Sequence, residues 1–193
     1  MVAKGFTQVY GIDFEETFSP VARFETVHIL LAPAVLEDWD IESLDVKTAY
    51  LYGELDEEIY MDQPKGYIKK DQERKVCQLL ESLYGLRQSA LQWNKELHKS
   101  LLDLGFTRTQ LDASVYFTFN GTDITLVVVY VDDVLFMGSN LKLVKGEKGK
   151  FMKVWESRDL GEVKEYLGMR IIRDRKQWTL TLDQCVYAEK ILK

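Results

Sequence analysis

Asp132 and Asp133 sit side by side between two apolar runs, Leu126-Val127-Val128-Val129-Tyr130 and Val134-Leu135-Phe136-Met137. Charges in so apolar a stretch cost free energy unless something compensates them. Carboxylate oxygens are the preferred ligands of hard divalent cations. A third carboxylate, Asp45, stands near the end of the alternating run Ile41-Glu42-Ser43-Leu44-Asp45-Val46. Three such groups at strand ends suit a two-metal scheme, in which the ions activate an attacking hydroxyl and stabilise a leaving phosphate. The bland reading of Asp132-Asp133 is an ordinary hairpin tip, although such tips more often set Gly or Asn beside the acid. Other chemistries have little to build on. Cys77 and Cys185 form no CxxC pair, so neither a disulfide framework nor a cysteine zinc site is expected. The two histidines, His28 and His98, fall within helix-like patterns and read as structural or surface residues, which leaves a Ser-His-Asp triad without its base.

The elements that must carry these carboxylates follow from periodicity. Ser19 to Trp39 reads as a helix with Ser19 as N-cap, Pro20 in the first turn and a kink or early stop at Pro33. Ile41 to Val46 is a short strand that delivers Asp45. Gly53 to Gln88, rich in charge and turn residues, is an excursion of loops and short strands forming a separate lobe. Ser89 to Leu104 is a second helix, closed by Gly105. Val115 to Phe119 and Ile124 to Tyr130 form a hairpin around Asn120-Gly121-Thr122-Asp123, and Val131-Asp132-Asp133 turns a second one. Leu141 to Ser157 is a basic amphipathic helix, followed by strands at Tyr166 to Ile172 and Trp178 to Leu182. The order implies an α+β fold with an antiparallel sheet backed by helices.

The chain has 193 residues, 46% of them hydrophobic and 12% aromatic, enough for one substantial core or two small lobes. No run of eighteen apolar residues and no signal-peptide pattern is present, so it reads as neither secreted nor membrane-spanning. A net charge of −6 argues mildly against a phosphate-binding partner, yet the charge is unevenly placed. Ten acidic residues and one basic residue lie between Glu37 and Asp62, against eleven basic and six acidic between Lys142 and Lys176. Two solvated faces would give the same pattern, as would an acidic metal site with a basic flank.

Tyr130-Val131-Asp132-Asp133 resembles the YxDD signature of reverse transcriptases. Leu44 to Gly53 (Leu-Asp-Val-Lys-Thr-Ala-Tyr-Leu-Tyr-Gly) resembles their first carboxylate motif in its copia-type retrotransposon form. Gly5-Phe6-Thr7-Gln8, Glu16 to Val21, Ile59 to Pro64, Ser82 to Gln88 and Tyr166-Leu167-Gly168-Met169 are similar to further blocks of that family, in the family's order. The likeness covers essentially the whole chain. It implies the right-hand polymerase fold: fingers at 1–20 and 53–88, palm at 21–52 and 89–169, and the start of a thumb or connection at 170–193.

Carried over by position, the resemblance implies that Asp45 and Asp132 bridge two Mg²⁺ ions (Mn²⁺ as substitute), with the Val46 carbonyl assisting and Asp133 completing the acidic site. It implies a nucleotide pocket of Lys47, Thr48, Tyr50, Tyr84, Gly85 and Arg87, with Tyr50 as the steric gate that selects deoxynucleotides. Tyr130, Val131, Gln88, Leu167 and Gly168 fall where primer and template are held. The implied partners are dNTP, a primed RNA or DNA template and, in a full polyprotein, RNase H and integrase domains. The implied setting is intracellular, in a cytoplasmic virus-like particle or the nucleus. By residue chemistry alone Tyr50 reads as a core aromatic, Lys47 and Arg87 as solvated charges, and Lys142 to Lys153 as a solvated helix face.

The chain departs from the family in two places: Ser89-Ala90-Leu91 stands where Ala-Pro-Arg usually follows the glutamine, and Pro33 falls in a helix that is normally uninterrupted. The family's triphosphate-gripping basic segment would precede Met1, so the expectation is a truncated copy. Its alternative is a non-catalytic nucleic-acid-binding remnant. A palm-fold cyclase or two-metal nuclease would share the carboxylates but not Tyr50 or the Leu83-Tyr84-Gly85 block.

Overall fold

The computed structural model describes residues 1–192; Lys193, the last residue of the expected domain, lies outside them. The elements in chain order begin with α1 (Phe24–Leu36), β1 (Asp40–Val46), β2 (Glu54–Asp62), β3 (Val76–Glu81) and α2 (Ser89–Asp103). They continue with β4 (Thr107–Arg108), β5 (Val115–Asn120), β6 (Asp123–Tyr130), β7 (Asp133–Gly138) and α3 (Leu141–Val154). The last are β8 (Ser157–Glu162), β9 (Glu165–Tyr166), β10 (Met169–Asp174), β11 (Thr179–Asp183) and α4 (Cys185–Ile191). Helices and antiparallel strands are mixed, as the α+β expectation required. The chain divides into two compact units, Met1–Pro20 with Thr48–Ser100, and Val21–Lys47 with the chain from Leu101 onward.

The second unit is built on a six-stranded antiparallel sheet of order β4-β5-β6-β7-β1-β8. Successive side chains alternate between its faces. One face presents Ile41, Leu126, Val128, Leu135 and Met137, which pack with Val27, Leu31 and Ala34 of α1 and with Tyr166 and Ile171 of the β9–β10 hairpin. The other receives α3, where Phe136 meets Phe151 edge-on with ring centroids 5.6 Å apart. On that face the buried Lys148 pairs with the buried Glu42 at 2.8 Å.

The first unit holds the β2–β3 hairpin and a small core of Ile59, Leu83 and Leu86. Its N-terminal segment crosses the 84–86 turn at backbone contact: the Ala3 N–H donates to the Tyr84 carbonyl at 2.7 Å, and a Cβ on Gly85 would lie 2.2 Å from the Ala3 oxygen.

Several sequence expectations need correction. α1 begins at Phe24, not Ser19; the Ser19 hydroxyl donates to the Ala90 carbonyl, and the cap comes from a distance. The Asp112 carboxylate accepts from the Thr26 hydroxyl (2.7 Å) and the Arg23 N–H (3.3 Å), satisfying one backbone donor at a helix start that the Arg23 side chain leaves uncapped. Burial, the largest single influence, pushes the Asp112 carboxyl up, but these bonds together with one from the Ser114 N–H outweigh it and hold the carboxyl below its ordinary range. Pro33 does not stop the helix, which runs on to Leu36 and closes with Trp39 N–H to Ala34 carbonyl (2.8 Å) and Asp38 N–H to Val35 carbonyl (3.3 Å). This is a Schellman closure with Asp38 in the left-handed conformation, φ 52°, where glycine is usual. The first hairpin turns on Gly121-Thr122, with Asn120 paired to Asp123 at the strand ends, so the glycine supplies the positive φ. α3 ends at Val154, three residues before Ser157, because 157–162 leave as β8 and pair with β1. That strand, Ser-Arg-Asp-Leu-Gly-Glu, was not expected, since an exposed edge carries little apolar signal. The expected strand Tyr166 to Ile172 is two strands around a Leu167-Gly168 turn, and α4 was not expected at all.

Candidate active site

Why the carboxylates converge is a matter of register. Tyr130 pairs with Asp133 across β6 and β7, and Asp133 pairs with Asp45 across β7 and β1. On β1's other side Asp45 pairs with Arg158 of β8. Directly opposed residues share a face, with Cβ atoms roughly 5 Å apart. Tyr130, Asp133, Asp45 and Arg158 therefore form one row across four strands, on the face that carries α1 and the β9–β10 hairpin. Asp132 is not in this row. It belongs with Val131 to the two-residue turn, and its carbonyl accepts from the Val46 N–H at 2.8 Å, tying the tip to the end of β1.

The turn holds Val131 at φ 57°, a conformation that β-branched residues rarely adopt. Strain of this kind amounts to about 1–3 kcal/mol and persists where surrounding structure over-determines it. Here the β6 and β7 ladders impose it: the apolar pairs Val129↔Val134 and Val128↔Leu135 fix the register up to the tip.

The electrostatics are those of an uncompensated acidic site. Burial, then the charges of Asp132, Asp45 and Glu165, push the Asp133 carboxyl up to about 6. Asp132 is raised too, chiefly by burial and to a lesser degree by the Asp45 charge, against a backbone hydrogen bond that lowers it. Oxygen donors that repel one another and are part-desolvated match the chemistry of a hard divalent cation. Among the described residues, however, no group of three or more His, Cys, Asp or Glu is close enough to cage an ion. Mg²⁺ does not require such a cage, because it typically takes one or two carboxylates and completes its shell with water and substrate phosphate.

The remaining predicted residues fall into two groups. In the second unit, Lys47 is engaged with Glu156: its ammonium at 2.7 Å from the carboxylate and its N–H at 2.9 Å from the carbonyl. Leu167 (φ 51°) and Gly168 (φ 75°) form the β9–β10 turn. In the first unit, Tyr50 and Tyr84 lie against each other with ring centroids 4.8 Å apart. Thr48 precedes them at φ 52°. Gly85 is held by the chain's own N-terminal segment. The Arg87 Nε donates to the Gly5 carbonyl at 3.0 Å, with its guanidinium 5.6 Å from the Phe14 ring centroid. Gln88 is fully buried, donating to the Asp13 carbonyl at 2.8 Å and to Glu57, and accepting from Gln8. Two residues beside the acids were missed by the sequence reading. Arg158 had no apolar pattern to reveal its strand, and Tyr166 was noted only as part of a block.

No helix among the described residues is long and apolar enough to cross a membrane. The family model described as reverse transcriptase (RNA-dependent DNA polymerase) matches residues 1–193. The chain is 40% identical, over its whole length, to the retrovirus-related Pol polyprotein from transposon TNT 1-94 of Nicotiana tabacum, and spans 15% of that protein. It is 38% identical over 90% of its length to the corresponding polyprotein from transposon RE1 of Arabidopsis thaliana, spanning 12% of it. No solved structure matches.

Proposed function

The chain belongs to the reverse transcriptase (RNA-dependent DNA polymerase) family, in its Ty/copia-type retrotransposon branch, and from that premise we propose that it forms the nucleotidyl-transferring core of such a Pol polyprotein. In this reading the second unit carries the palm chemistry and the first supplies fingers residues. The observation that carries it is the cross-strand row of Asp133 and Asp45 beside the strained Val131-Asp132 turn.

Asp45, Asp132 and Asp133 would hold two Mg²⁺ ions, with the Val46 carbonyl beside them; when bound, the ions lower the barrier to attack by a primer 3′-hydroxyl on the dNTP. The strained turn fixes Asp132 against the end of β1, so its carboxylate needs little reorganisation at the moment of reaction. Arg158 places a positive charge on the flank of the acidic row, suited to a phosphate. Tyr50, packed on Tyr84, presents a rigid aromatic wall that excludes a 2′-hydroxyl. Leu167 and Gly168 seat the primer end, while Lys47, Thr48, Gly85, Arg87 and Gln88 shape the nucleotide and template path. A primed RNA or DNA template and dNTP are the substrates, and RNase H and integrase are the neighbouring activities of the polyprotein.

The test is Mg²⁺-dependent extension of a DNA primer on an RNA template, with Asp132→Asn as control. Extension lost in the variant supports the reading. Salt-sensitive template binding, equal in both proteins and without extension, would replace it with a non-catalytic nucleic-acid-binding remnant.

A further inference from the structure

β8 carries a bulge, and the bulge decides which residue stands beside Asp45. The β1–β8 ladder runs Glu42↔Glu162 and Ser43↔Gly161, then resumes at Leu44↔Asp159 and Asp45↔Arg158, leaving Leu160 without a partner. Gly161 takes a positive φ of 72° at this irregularity. An added Cβ there would meet open space, so it is the backbone conformation that calls for glycine. Were the ladder regular, Leu44 would face Leu160 and Asp45 would face Asp159, a third carboxylate in the row of Asp45 and Asp133. The extra residue puts an arginine there instead.

A side-chain contact fixes which way each residue points. Asp159 meets Lys148 of α3 at 2.5 Å, on the face that α3 covers. Neighbours along a strand alternate, so Arg158 lies on the opposite face, with Tyr130, Asp133 and Asp45. Arg158 is exposed, and its side chain enters no hydrogen bond or ion pair among the described residues, with Asp45 or any other. Lys47, next along the same ladder, is held by Glu156 at 2.7 Å. The bulge therefore sets a guanidinium with free donors directly opposite an acid of the site, with Cβ atoms about 5 Å apart.

A guanidinium presents a planar fork that matches two phosphate oxygens. We propose that Arg158 is the phosphate-binding residue of the acidic site, taking the polyphosphate of the incoming nucleotide and then the pyrophosphate that leaves. The acids alone repel a polyanion, and a cation directly opposite Asp45 offsets that repulsion at the row where the chain must approach. The assignment to a nucleotide rests on the polymerase reading; the polyphosphate site itself does not.

The test measures binding of inorganic tripolyphosphate, with Mg²⁺ present, by titration calorimetry. The proteins are the parent, Arg158→Gln, Arg158→Lys and Lys153→Gln, the last removing an exposed charge from α3 on the sheet's other side. Primer extension is run on the same preparations. Affinity should fall about tenfold in Arg158→Gln, the factor carried by one hydrogen bond to a charged group. Arg158→Lys should recover part of the loss, since it keeps the charge without the fork, and Lys153→Gln should bind like the parent. In extension, Arg158→Gln should raise the KM for dNTP and weaken inhibition by pyrophosphate by a similar factor. Its thermal melt should match the parent's, because the side chain supports nothing else in the fold. A parent that binds no tripolyphosphate, or an Arg158→Gln chain that binds it as well as the parent, overturns the proposal. An equal loss in Lys153→Gln also overturns it, since charge at a distance would then account for the binding. Arg158-dependent binding in a parent that extends no primer keeps the site and refutes the polymerase reading.

Discussion

Asp45 and Asp133 stand directly opposite one another across the β1–β7 ladder, and no lysine or arginine is among the neighbours that shift Asp133. Like charges facing across a sheet destabilise it unless protonated or bridged. The Asp133 carboxyl, raised to about 6, lies above the roughly 3.9 of an unfolded aspartate. Its contribution to folding is therefore fully present below about pH 4 and is lost as pH rises through 6. Asp133→Asn should consequently be more stable than the parent at pH 7.5 by about 1–2 kcal/mol, a figure reduced for partial contact with water. The advantage should vanish at pH 4. Urea denaturation across that range, with chelator present, measures it, and parallel pH profiles for the two proteins would refute it.

Val131 makes a second prediction, because its positive φ suits glycine and not a β-branched residue. Val131→Gly should raise Tm by about 2–4 °C through relief of strain, while slowing primer extension because the turn that places Asp132 becomes mobile. Thermal melts and single-turnover kinetics on one preparation separate the two effects. A lower Tm would mean that the valine side chain contributes more than the strain costs.

The acidic site was legible in the sequence because its signal is local: two carboxylates between strongly apolar strands have few readings, and the blocks around them occur in the family's order. The strands β1, β6 and β7 were legible for the same reason. Features set by tertiary context were not. Ser19 has the chemistry of an N-cap, but α1 starts after it and is anchored at its start by Asp112, far away in sequence. β8 is an exposed edge strand with a single apolar side chain, Leu160, so period and propensity are silent there, and with it went the placement of Arg158 beside Asp45. Pro33 carries the signal of a kink or early stop, yet it lies in the last turn, where the one hydrogen bond it removes costs little of the helix.

Gly85 combines φ 97° with an ideal Cβ position only 2.2 Å from the Ala3 carbonyl oxygen, a backbone atom that cannot rotate away. Gly85→Ala should therefore displace the N-terminal segment and break the Ala3 N–H to Tyr84 carbonyl bond. We expect a loss of about 3 kcal/mol or more and rapid proteolytic cleavage within the first eight residues. Protection equal to the parent's would show that the turn can accommodate a side chain by moving as a whole.

Lys148 supplies the last prediction. It is 2% exposed, between the buried Glu42 at 2.8 Å and the exposed Asp159 at 2.5 Å, while Lys145 approaches Glu42 only to 3.7 Å. Removing the central cation leaves Glu42 buried on the strand that carries Asp45, with one distant partner. Lys148→Met should thus cost about 3–5 kcal/mol. Adding Glu42→Leu should recover most of that loss, because the pair's attraction does little more than offset its own desolvation and Asp159 can keep its charge in water. Urea unfolding of the parent, the single and the double variant reads this directly. If the double variant is no more stable than the single, the network's value lies in shape and not in charge balance. A single variant as stable as the parent would mean that Lys145 swings in to replace the lost ammonium.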